Sequence, residues 1–304
     1  MNYFTILMVK KYNIGISKQQ LVKKIYSTGF GDREPATEWA QIAPGKVVVA
    51  IADRAWLYHP ISRDDRFAQP MSCLGHIATT RGLLDTAIAV AQHTTKSDLR
   101  PPALTPTRWI WRLASAYHLT SRAYELMKNA AKSFAANGHS DLEAWALEKA
   151  EEEKGHERLA LLDIQSLGYD AAAVVQELVP PAAMALMDYF SRSAQDSNPI
   201  DCVGYVYTME RLSLGIGEEY IQKIEALLPS DVKATRCLRV HSAVGADAEH
   251  VDENVALVAK LDSAERTRIA RACYETALIC FSSPPVGYIS NQELEQILRP
   301  LKLN

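Results

Sequence analysis

The stretch from Ser140 to Gly168, SDLEAWALEKAEEEKGHERLALLDIQSLG, constrains this chain most, because it carries helical periodicity from end to end. Ser140 and Glu143 have the spacing of a capping box at its start, and Gly168 stands where a helix C-terminus needs a left-handed residue. An amphipathic helix of that length must bury one face, so the rest of the chain has to supply partners for it.

From Thr107 onward those partners are almost wholly helical. The periodicity predicts helices at about 107–136, 140–167, 170–178, 181–194, 199–227, 231–260, 263–281 and 291–299. Asn137-Gly138, Pro180-Pro181, Asn198-Pro199 and Pro284-Pro285 punctuate them. Asp262 with Glu265 and Ser290 with Glu293 read as two further N-terminal caps. The expected organisation is an N-terminal extension over 1–105, mixed or helical, followed by an all-α bundle over 106–304. Within the extension, Ser17–Thr28 reads as a short helix, and Cys73–His93 has helical periodicity. Lys46–Ile51 (KVVVAI) fits either a strand or a buried helical segment, and Lys96–Pro106 reads as a linker.

Composition narrows the function classes. A net charge of -3 and a pI near 6.3 give no basic surface for nucleic acid or an acidic membrane. The five cysteines are odd in number, widely spread and free of any Cys-x-x-Cys pair. That argues against both a disulfide framework and a thiolate zinc site, and a reducing cytoplasm suits them. The apolar run Phe4–Val9 is too short for a signal peptide, and no stretch reaches the roughly 18 apolar residues of a membrane span. There is no internal repeat and no Gly-rich phosphate loop.

Three places concentrate metal-ligating residues. In the long helix, Glu152 and Glu153 precede His156 by four and three positions, which at roughly 100° per residue puts all three on one side. Glu-x-x-His is a ligand spacing of carboxylate-bridged di-iron bundles, although a salt-bridged surface helix meets it too. Glu210 follows an aromatic and apolar run, Val203 to Met209, so it needs a cation or a hydrogen-bond partner; the cation could be a metal or an arginine of a neighbouring helix, since Arg211 points about 100° away. The segment His241 to Glu253 gathers two histidines and four acids, with Asp247 and His250 on one helix face. Three such helices offer a mixed nitrogen and oxygen set suited to iron or manganese.

These motifs (EEEKGHERLALLDIQSLG, TMERLSLGIGEEY and RVHSAVGADAEHVDE) resemble the haem-oxygenase-like di-iron oxidases, a family related in fold to thiaminase II and the pyrroloquinoline-quinone synthase. The resemblance spans roughly residues 107–285. It implies an all-α, haem-oxygenase-like helical bundle. It also implies two Fe(II) ions per chain, one of them labile, with O2 as co-substrate. As ligands it implies His156 with Glu153 or Glu152, Glu210, and the closing set His241, Asp247 and His250. Glu125 would be an extra carboxylate, with His118 a weaker candidate. The closing set departs from the family's His-x3-Asp-x2-His: here the first gap is longer, and His241 and His250 lie about 180° apart on an ideal helix. Both reach one site only if the helix is distorted, for which Gly245 is the natural place; otherwise His241 is not a ligand.

The activity implied is an O2-dependent oxidase acting on a small amine, amino-acid-derived or fatty-acid-like substrate, by N-oxygenation, oxidative C–C cleavage or desaturation. An external electron donor is compatible with it. Tyr124, Tyr205 and Tyr207 are candidates to line the pocket. Alternatives are a thiaminase-like C–N hydrolase or a cofactorless oxidase, using a Cys or Glu nucleophile for which Cys202 is a candidate, or a non-catalytic helical partner. For the extension, covering the bundle, a homodimer contact and completion of the pocket all stay open.

Overall fold

The structure, a computed structural model, describes residues 37–60, 71, 75–95, 103–242, 247–282 and 289–303. Phe4–Val9, Ser17–Thr28, Cys73, Gly245 and Pro284-Pro285, for which the sequence raised expectations, lie outside the described residues.

KVVVAI is a strand. It is β2 (Lys46–Ile51), the centre of an antiparallel sheet with β1 (Thr37–Ala43) and β3 (Arg54–Tyr58). Four consecutive buried residues fit a central strand covered on its faces. The periodic segment after it forms α1 (Ile77–Thr94). Both pack into the helical body, because Ala40, Ile42, Val48 and Leu83 belong to the same buried cluster as the later helices.

The later helices are shorter than periodicity predicts, and the reason is architectural. Four of the expected long helices are each broken in two. The first becomes α2 (Pro106–Thr120) and α3 (Ala123–Ala136). The second becomes α4 (Ser140–Glu153) and α5 (His156–Ser166). After α6 (Ala171–Glu177) and α7 (Pro181–Gln195), the third becomes α8 (Asp201–Ser213) and α9 (Glu218–Glu225). The fourth becomes α10 (Arg236–Val240) and α11 (Asp247–Lys260), before α12 (Ser263–Phe281) and α13 (Asn291–Leu298).

Two apolar cores explain the breaks. One holds the sheet, α1, α3, α4, α7, α8, α11 and α12, with Phe134, Phe190, Tyr207 and Val255 among its buried residues. The other holds α2, α5, α6, α9, α10 and α13, with Trp109, Ile164, Val174 and Leu238. Each of the four breaks is the point at which the chain passes from one core to the other.

The caps fall where the sequence placed them in most cases. Asp262–Glu265 and Ser290–Glu293 form complete capping boxes, and Gly138 and Gly168 close α3 and α5 with positive φ. Ser140 is a correction. It is the first residue of α4, and His139 is the N-cap, accepting Glu143 N–H at its carbonyl at 2.9 Å.

One buried ion pair ties the sheet to the bundle. Glu38 on β1 is fully buried and meets Arg266 Nε on α12 at 3.1 Å. It also accepts from Thr79 and Thr80 of α1 and from the His76 amide. Close packing adds to this: a Cβ on Gly204 of α8 would lie 2.6 Å from both Ala272 Cβ and the Ile269 carbonyl of α12. Removing Arg266 strands a buried carboxylate. Arg266→Met is therefore expected to cost about 3–5 kcal/mol in denaturant unfolding. Lys223→Ala, which breaks the exposed Lys223–Glu219 pair, is expected to cost less than about 1 kcal/mol.

Candidate metal centre

The four helix breaks surround one cavity of about 510 Å3 at the seam between the cores. Its apolar wall includes Leu119, Met127, Phe190, Val206 and Met209, and its polar wall gathers Lys149, Glu152, Glu153, His156, Glu210, His241 and His250.

The break between α4 and α5 sets the polar wall. Three carboxylates, Glu151 to Glu153, end α4 at the negative end of its dipole, an unfavourable place for acids, so the helix does not stop there for its own stability. Lys154 turns extended, and Gly155 takes φ +86°, a left-handed value that costs glycine nothing. Glu152 and Glu153 thus end one helix and His156 begins the next, so the single continuous face read from the sequence does not exist. The two acids part company instead.

Glu153 joins His156 and His241, and Glu152 joins Glu210 and His250; in each trio the ligand atoms lie within 4.8 Å of one another. In the first trio, Glu153 Oε2 stands 3.4 Å from His156 Nδ1 and 3.9 Å from His241 Nε2. The two imidazoles meet edge to face with centroids 4.7 Å apart. All three of these atoms are buried and lack a hydrogen-bond partner among the described residues. His241 is oriented by its Nδ1–H, which donates to the Cys237 carbonyl at 3.1 Å and leaves Nε2 to face Glu153.

Burial would raise the Glu153 carboxyl, but the two imidazoles outweigh it and hold that carboxyl far below its usual range. Burial would likewise lower His241, and its contacts with Cys237 and Glu153 reverse the direction. A proton on His241 Nε2 thus occupies the place a metal ion competes for.

The second trio already contains a cation. Lys149 Nζ lies 2.8 Å from Glu152 Oε2 and 3.1 Å from Glu210 Oε1, with 5% of its side chain exposed. His250 closes the ring, with Nε2 at 3.4 Å from Glu152 Oε1 and Nδ1 at 4.0 Å from Glu210 Oε1. Glu210 Oε2 accepts from Asn254 Nδ2 at 2.5 Å, and Asn254 Oδ1 accepts from Trp145 Nε1 at 2.6 Å. Lys149 lay hidden in the sequence as one more member of a charged helical face.

Several expected positions lie elsewhere. Glu125 faces solvent on α3, because the cavity takes Ala123 and Met127 of that helix; as an extra metal carboxylate it is a correction. Asp247 begins α11, and its side chain lies outside the described residues. His118 bonds the Leu178 carbonyl at 3.0 Å, away from the cavity. Of the tyrosines, Tyr205 lines the cavity and stacks on Phe190. Tyr207 turns to Asp85, which also pairs with Arg211. Tyr124 receives Lys128 and Lys154 over its ring. His241 and His250 end up in different trios: α10 ends at Val240, just before His241, and His250 lies in α11.

The profile of a family described as iron-containing redox enzyme matches residues 110–281. The chain belongs to that family. This membership agrees with the helical-bundle fold class, and the matched span contains every residue of both trios.

No protein of curated function matches the sequence. Solved structures similar to it include a domain of unknown function with a heme oxygenase-like fold from Shewanella denitrificans. That domain is 21% identical over 74% of this chain and 89% of its own, with a TM-score of 0.48. A TenA homolog from Pseudomonas syringae pv. tomato is 12% identical over 70% of this chain and 96% of its own, with a TM-score of 0.46.

The trios fit a group of the kind this iron-containing family implies. Three orphaned oxygen and nitrogen atoms converge in the first, and a carboxylate held from behind by Asn254 stands in the second. Gly155→Ala tests how the break supports them. It forces an L-residue into the left-handed region, with nothing within 4 Å of the new Cβ to clash. Thermal unfolding is expected to show a loss of about 1 kcal/mol from backbone strain alone.

Proposed function

We propose that this chain is an O2-dependent, non-haem iron oxidoreductase that holds iron on the polar wall of the seam cavity and oxidises a small substrate lying against its apolar wall. One observation carries the reading: Glu153 Oε2, His156 Nδ1 and His241 Nε2 converge with no hydrogen-bond partner among the described residues, beside a second trio of Glu152, Glu210 and His250. Buried polar atoms are rarely left unpaired, because each costs stability, and a metal ion satisfies all three at once. Two irons per chain suit two trios, with the tighter at Glu153, His156 and His241.

Ferrous iron, when bound, supplies electrons for reducing O2, which no side chain of the cavity provides. The chain's own residues do the rest. The Cys237 carbonyl fixes the His241 ring, and Asn254, itself held by Trp145, aims the Glu210 carboxylate. The stacked Phe190–Tyr205 pair, with Leu119, Met127 and Met209, gives the same cavity an apolar wall for a substrate to lie against. The cavity volume falls within the roughly 300–1,000 Å3 of small-molecule sites. Its mainly apolar lining beside a few charged groups supports an amine, amino-acid-derived or fatty-acid-like substrate. N-oxygenation, oxidative C–C cleavage and desaturation all fit that chemistry, and an external electron donor belongs to the same reading.

Cys202 is a poor nucleophile for a C–N hydrolase. It is fully buried away from the cavity lining, and burial pushes its thiol well above the usual range.

Anaerobic Fe(II) titration of the apo-protein, followed by rapid mixing with O2 and stopped-flow absorbance, tests the proposal. Wild type is expected to bind iron and to give a transient visible band. His156→Ala is expected to lose both the tight iron and the band. Wild type that binds no iron above background would overturn the reading.

A further inference from the structure

The two trios face the same cavity, yet they differ in one respect that their ligand types do not account for. Around Glu153, the ion-pair partners among the described residues are the imidazoles of His156 and His241. Around Glu152 and Glu210 there is also an ammonium. Lys149 Nζ sits between the two carboxylates, at 2.8 Å and 3.1 Å, and each of those carboxylates also faces His250.

We propose that Lys149 is the resident cation of the second trio, so that a metal ion enters between Glu152, Glu210 and His250 only by displacing the Lys149 ammonium. The inference rests on the iron reading above, and from it the two ligand sets are expected to hold metal unequally.

The charge and the geometry lead to the same place. Glu152 and Glu210 come from different helices, α4 and α8, and two partly buried carboxylates facing one another repel unless a cation stands between them. Lys149 lies one turn before Glu152 on α4, so its ammonium reaches the gap without any change in the helix. A lysine head is a point charge on a flexible stem, which makes it a removable substitute for a metal ion, whereas a guanidinium fork would be a fixed one. Lys149 also lines the cavity, which gives a displaced ammonium somewhere to go. In the first trio the ion competes only with a proton on an imidazole and not with a lysine ammonium, so that trio fills first.

Metal-binding stoichiometry tests this without reference to turnover. The apo-protein, wild type and Lys149→Met, is dialysed anaerobically against graded Fe(II), and bound metal is measured by elemental analysis. Wild type is expected to take one equivalent tightly and the second at least about tenfold more weakly. Lys149→Met keeps the stem and loses the charge. It is expected to tighten the second equivalent by about tenfold or more and leave the first unchanged. The same variant is expected to have a lower apo melting temperature than wild type and to recover when metal is added, because two carboxylates lose their cation.

A first equivalent that binds normally, with a second unchanged or weakened in Lys149→Met, overturns the role of Lys149 and spares the iron centre. Failure of wild type to bind any iron overturns both. Should Lys149→Met not fold, Lys149→Gln carries the same comparison with the neutral side chain able to donate to Glu152.

Discussion

The Glu153 carboxylate sits beside two imidazoles at a seam between apolar cores, and the helices that reach this seam are broken there. A continuous helix presents one face to one core. Holding acids and histidines at the boundary between two cores needs chain that ends, turns and begins again. The ends of α2, α4, α8 and α10, at Thr120, Glu153, Ser213 and Val240, are where that happens. Helix ends also bring the side chains of the last turn and of the next first turn together from different directions, as Glu153 and His156 do across Gly155. The two-core architecture and the polar wall are therefore one construction, with the burial of charge deciding where the helices stop.

Much of this was legible in the residues, and the part that was not has a common cause. Periodicity located the helical segments, and residue type marked Glu152, Glu153, His156, Glu210, His241 and His250, all of which line the one cavity. Periodicity does not register a break that leaves the apolar pattern in phase. Lys154-Gly155 interrupts the helix without a proline, and an isolated glycine in a helical pattern is commonly tolerated. Reading straight through it made Glu152 and Glu153 alternatives for one position, when each serves its own trio. The same assumption made His241 and His250 look out of phase, a difficulty that vanishes once the chain leaves the helix between them. Glu125 failed for the opposite reason: its helix is intact, and the face it occupies is the solvent one. The strand at Lys46–Ile51 needed its neighbours, since a short apolar run has no internal signal that separates a strand from a buried helix.

The two trios show different ways of living with buried charge. The second is internally balanced, with an ammonium between its carboxylates, an amide behind one of them and an indole behind the amide. The first is left with converging oxygen and nitrogen atoms that have no hydrogen-bond partner among the described residues. A sequence under pressure for stability alone would fill such a place with apolar side chains, and the surrounding wall shows that apolar residues were available to do it. Local rules broken at one point, amid helices that keep them elsewhere, mark a site retained for chemistry.

Glu152 and Glu153 are consecutive, so the end of α4 works as a single yoke. A rotation of that helix by one residue, about 100°, would carry one acid toward the other's place and swing the other out of the cavity altogether. The two trios consequently share one mechanical degree of freedom. Neither can be loosened or realigned while its neighbour stays still, and an insertion or deletion in the run Glu151–Gly155 would disable both in one step.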